Sequence, residues 1–212
     1  MKTFTTIIAL LLTGQSFAGN SAYEQAMEAA LSQFATSKSV EDMQSTANSF
    51  QRIAKFADAE WLPEYYQAHC YVLMSFMIKD GAQKDAYLDV AEKSITKVLE
   101  LQPTNTEAYA LQAFLYTGRL VVDPMTRGRE YSIKSHESLK KALAINPTNP
   151  RALYLQLTNE IGTANFFGTD TSIFCERIET LQTNWDSYNQ VADMNPSWGK
   201  NQAQNLKADC NN

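Results

Sequence analysis

Apolar residues recur three and four apart through most of the chain. Phe50, Ile53 and Ala54 show the spacing, and Ala91, Ile95, Val98 and Leu99 repeat it, which marks one face of an α-helix. Strand-type alternation is absent and β-branched clusters are few. The breakers fall between periodic segments: Pro63 near a helix start, Asp80-Gly81, Pro103, Asp123-Pro124, Pro147, Pro150 and Pro196. The pattern predicts helices near 21–35, 39–57, 61–79, 84–101, 105–120, 127–145, 149–161, 171–193 and 197–208, with a loop over 121–127.

The periodic segments also resemble one another. KVLELQPTNTEAYALQA (97–113) and KALAINPTNPRALYLQL (141–157) align without a gap, and MNPSWGKNQAQNL (194–206) is a weaker third copy. The prolines at 103, 147 and 196 lie 44 and 49 residues apart. This arrangement resembles the tetratricopeptide repeat (TPR), a helix pair of about 34 residues that buries its apolar stripe only by stacking on its neighbours. The register carries small residues at Ala68, Ala91, Ala113 and Ala142. It departs from the family between Tyr71 and Ala91 and between Tyr116 and Ser135, where about ten extra residues per repeat are expected to lengthen the helices and add a loop. The implied fold is all-α: a TPR-like right-handed α-solenoid of three to four antiparallel helix pairs with lengthened intra-repeat loops. The expected divisions are a signal peptide at 1–18 and one helical domain at 19–212. Within that domain the repeats fall near 21–58, 59–103, 104–147 and 148–196, followed by a C-terminal helix at 197–210. The stretches at 60–76, 122–132, 146–156 and 165–168 (NFFG) further resemble a group of secreted TPR-containing proteins of Bacteroidetes with no assigned activity. Gly168 is followed here by Thr169-Asp170-Thr171 where that group carries a glycine run, so no role of that run is implied.

Composition sets the compartment. Lys2, the apolar run Ile7–Leu12 and Ser16-Phe17-Ala18 form a signal peptide with a cut after Ala18. The expected mature protein is exported, periplasmic or secreted. The net charge of −5 favours neither nucleic acid nor an anionic membrane as partner, and no later run is long enough to span a bilayer. Of three cysteines, Cys70 sits in an apolar stretch and reads as a buried small hydrophobe, leaving Cys175 and Cys210 as the candidate disulfide.

In TPR arrays the first helix of each repeat lines a concave groove. The register places there Leu62, Tyr65, His69 and Val72, then Glu107, Ala110, Phe114 and Thr117, then Arg151, Tyr154, Thr158 and Ile161. These residues lack the Lys and Asn clamp of the chaperone-binding subclass, and the aromatic ones suit an apolar or aromatic-bearing peptide. The competing reading is that the aromatics pack the adjacent helix. A second candidate is the loop at 122–130 with Arg119, Arg127 and Arg129, which either fork onto a partner's carboxylate or phosphate or pair with nearby carboxylates. Phe166 and Phe167 lie in a polar stretch, 163–172, and read either as an exposed contact site or, in preference, as a plug beneath the third repeat. Motifs for nucleophilic hydrolases, zinc proteases, phosphate loops and dinucleotide binding are missing. The sequence reads as a non-catalytic scaffold for a protein or peptide partner, without cofactor or metal. The alternatives are a self-associating envelope protein and, further off, an enzyme.

Overall fold

Short polar side chains ahead of apolar runs start the helices. Ser21 and Ser39 accept from the backbone N–H three residues on, while Glu24 and Asp42 reach back to the cap N–H, giving two reciprocal capping boxes. Asp80, Asn105, Asp123 and Asn149 cap four later helices through one side-chain bond each. The computed structural model describes residues 21–189 and 194–207. Along the chain run α1 (Ala22–Thr36), α2 (Val40–Phe56), α3 (Trp61–Met77), α4 (Gly81–Leu101), α5 (Thr106–Leu120), α6 (Pro124–Ile145), α7 (Pro150–Phe167), a 3-10 turn (Ser172–Phe174), α8 (Cys175–Tyr188) and α9 (Lys200–Gln204). Among the described residues there is no strand, so the protein is all-α. The expected signal peptide lies outside the described residues.

The two Pro-Thr-Asn copies fold alike. Asn105 and Asn149 each donate their backbone N–H to the carbonyl three residues back, at 3.0 and 3.1 Å. Their side chains accept from Ala108 and Ala152 at 2.9 Å. Asn149 also donates to Glu107 at 2.7 Å and to Thr106 at 3.0 Å, tying the second turn to the first. Every helix packs on the next along the chain, and α3, α5 and α7 meet in that order. Ala68, Ala91, Ala113 and Ala142 are fully buried, as helices need in order to approach within about 8–10 Å. The core runs through three adjoining clusters: the first around Phe50, Tyr65 and Leu88, the second around Leu139 and Leu155, the third around Leu181 and Trp185.

Several boundaries differ from the sequence pattern. The extra residues go into helices of 21 and 22 residues, α4 and α6. Residues 78–80 and 121–123 make the α3–α4 and α5–α6 joints, so the lengthened loops expected there are absent. Pro124 begins α6 instead of breaking it, because a first-turn proline lacks only an N–H that has no helical partner. Gly162 does not stop α7, which ends at Gly168 in the left-handed region. Phe166 and Phe167 are two-thirds or more exposed and form no plug. In place of a helix over 197–208 there is the five-residue α9. Ahead of it, Met194 and Gly199 have φ of 71° and 99°, and such residues turn the chain instead of continuing a helix.

Candidate binding face

Residues predicted from the repeat register do converge, but not onto an empty hollow. Tyr65 and His69 on α3 are buried, as are Leu62 and, on α7, Arg151. Phe114, Tyr154 and Thr158 are half-buried. What covers the face is the segment 194–199, which lies across it. Trp198 donates its indole N–H to Tyr65 Oη at 2.8 Å. Its ring stacks on Phe114, with centroids 5.8 Å apart and planes 25° apart, and sits 5.0 Å from His69. Beyond Phe114, Phe76 continues the row at 5.0 Å and 16°. Tyr66 Oη donates to the Met194 carbonyl at 2.9 Å. Tyr154 and Trp198 pack against the same core cluster, whereas Thr158 turns its hydroxyl back to the Tyr154 carbonyl.

Burial governs the electrostatics here. Desolvation pushes the Tyr65 phenol well above its ordinary value and drives His69 down to about 3, with the Arg151 charge adding to the second effect. His69 is therefore neutral near pH 7, and its Nδ1 has no hydrogen-bond partner. Arg151 binds Glu107 through both Nε and Nη2, the latter at 2.9 Å, and donates to Asn189 at 2.7 Å. The guanidinium is thereby paired within the frame. Beside this pair a cleft of about 310 Å³ opens between Trp61, the Pro-Thr-Asn turns and Pro196.

The three arginines of the second candidate do not form a common site. Arg119 ends α5, is buried, and pairs with Asp85 at 2.8 Å, with Asp89, and with Glu92 at 3.3 Å. Arg127 reaches the same Asp85 at 2.9 Å, and that contact is the first cause holding the Asp85 carboxyl below its usual range. Arg129 is exposed on α6. Arg119 and Arg127 thus clamp α4 to α5 and α6, using carboxylates more distant in sequence than the neighbouring Asp123 and Glu130. Cys175 is disulfide-bonded and Cys70 is a buried free thiol; Cys210 lies outside the described residues. Among the described residues no three His, Cys, Asp or Glu gather as a metal site, and no helix is long and apolar enough to cross a membrane.

Phe76 and Trp198 are participants that sequence reasoning missed, and Trp198 is the one from outside the repeat helices. The stretch around Trp198 was legible as a degenerate third copy of the turn, and the Trp-Gly pair after Pro196 was the available sign that the copy had another use.

Together these features define an all-helical protein whose aromatic face is occupied by its own C-terminal segment. No protein-family model matches the chain, and no curated protein does. Among solved structures it is similar to the HusA haemophore from Porphyromonas gingivalis. The TM-score is 0.76 at 27% identity, with 87% of this chain and 90% of that one covered. That neighbour is an all-helical protein from a Bacteroidetes genus, in keeping with the group the sequence resembles.

Proposed function

We propose that this protein is exported and binds, without transforming it, a flat aromatic macrocycle of the porphyrin class. Its aromatic face stands on a TPR-like stack of helix pairs, a reading that the two equivalent Pro-Thr-Asn turns support. The observation that carries the functional reading is the stacked row of Phe76, Phe114 and Trp198. The face already holds one flat ring, and that ring belongs to a covering segment. Similarity to a haemophore across most of both chains supplies the ligand class.

Each well-placed aromatic pair contributes about 0.5–1.5 kcal/mol beyond its buried area, and a macrocycle in the position of Trp198 gains that contact with Phe114. His69, the imidazole beside this row, is buried under Trp198, so the reading rests on ring stacking, which protoporphyrin IX and haemin share. A porphyrin accounts for the stacked geometry more directly than the peptide expected from the repeat register. Titration with protoporphyrin IX and with haemin, followed by the porphyrin absorption band, tests the reading. Wild type is expected to saturate with both, and Phe114→Ala to bind about tenfold more weakly, roughly 1.4 kcal/mol. A wild-type protein that saturates with neither porphyrin overturns it.

A further inference from the structure

We propose that the segment 194–199 is a displaceable strap, and that ligand and strap compete for the same aromatic face. This rests on the functional reading above and adds how the site is regulated. The strap's indole takes the stacking position on Phe114 and, at 5.0 Å from His69, shields the imidazole beneath it. A macrocycle stacking on Phe114 where Trp198 now stacks has to take the place of the indole. The ligand enters by lifting the indole.

The attachment is of a kind that lifts. Over the face itself the strap is held by the packing of Trp198 and Met194 against the core, which a stacked macrocycle would replace, and by two side-chain hydrogen bonds, Tyr66 to the Met194 carbonyl and Trp198 to Tyr65, each worth little net. Met194 sits at φ 71° without being glycine, a conformation that costs roughly 1–2 kcal/mol and is relieved when the segment leaves. Gly199, at φ 99°, turns the chain where a Cβ would come within 3.0 Å of Trp185, so the turn is available to glycine alone. Past it the chain is anchored independently of the face. Gln182 binds the carbonyls of Ala203 and Leu206 at 2.9 and 3.2 Å, and Lys200 pairs with Asp186 at 2.6 Å. The strap therefore swings from a fixed end.

Two variants test this in the full-length protein. Tyr65→Phe keeps the ring on the face and removes only the bond to Trp198; Trp198→Ala removes the competing ring. Both are expected to bind protoporphyrin IX more tightly, Tyr65→Phe by about fivefold, the worth of one hydrogen bond. An independent reading comes from NMR of the Trp198 indole N–H, assigned by its loss in Trp198→Ala. Its exchange with water should speed up in Tyr65→Phe without ligand and in wild type on adding porphyrin. Weaker binding by both variants overturns the strap and makes Trp198 a wall of the site. So does porphyrin binding that leaves the indole exchange of wild type slow, and in either case the functional reading stands. Absence of binding in wild type and both variants overturns the functional reading and the strap together.

Discussion

His69 makes the protein sensitive to acid in a way that can be worked out in advance. The imidazole is 2% exposed, flanked by Phe34, Tyr65 and Trp198 at ring distances of 5.2, 6.2 and 5.0 Å, and its Nδ1 is unpartnered. Its folded value is depressed to about 3, against an unfolded one of about 6.5. Between these values the unfolded chain takes up a proton that the native protein refuses, so stability falls as pH drops through the window. At pH 5 the unfolded imidazole is almost fully charged, and linkage gives a loss of about 2 kcal/mol relative to pH 8. The perturbation is His69→Phe, a flat ring without a titrating nitrogen, with His69→Leu as the second variant should Phe overfill the site. The assay is urea unfolding of wild type and variant at pH 8 and pH 5. The difference between proteins cancels the carboxylates that both share, and wild type is expected to lose about 2 kcal/mol more than the variant. Equal pH dependence in the two refutes the argument that His69 is held neutral. Trp198→Ala should shrink the wild-type loss as well, because lifting the indole gives the imidazole access to water.

Two further outcomes follow from the frame. Glu107→Ala leaves the guanidinium of Arg151 buried among Tyr65 and Tyr66 without its carboxylate. It should cost about 3–5 kcal/mol in urea unfolding; a cost below 1 kcal/mol shows that the pair is solvated. Non-reducing peptide mapping should find Cys175 joined to Cys210 and should find Cys70, buried and with its thiol pushed up by burial, alkylated only on unfolding. Ready alkylation of Cys70 in the native protein contradicts its burial.

Local chemistry explains which features could be read in advance. Caps, proline punctuation and the three-and-four spacing act within a few residues, so α1 to α5 lie close to their expected positions. The repeated Pro-Thr-Asn turns fold identically because each closes on its own neighbours. The break expected at Asp123-Pro124 was misplaced because a helix tolerates proline in its first turn, and the helix expected over 149–161 runs on to Phe167. Tyr65, His69, Phe114 and Arg151 were singled out through the repeat register, and their helices bring them towards one face.

Whether that face stands open was beyond the reach of any local pattern. The bond that covers it joins Tyr65 to a residue 133 positions away, and a side chain's periodicity says which way it points on its helix but not what chain returns to lie over it. The same holds for the arginines. Arg119 and Arg127 find their carboxylates on α4, 27 to 42 positions distant, because packing decides which opposite charges are brought together. Helix order was written in short-range spacing; the occupant of the aromatic face was settled by long-range packing, where burial of an indole outweighs continuation of a degenerate repeat.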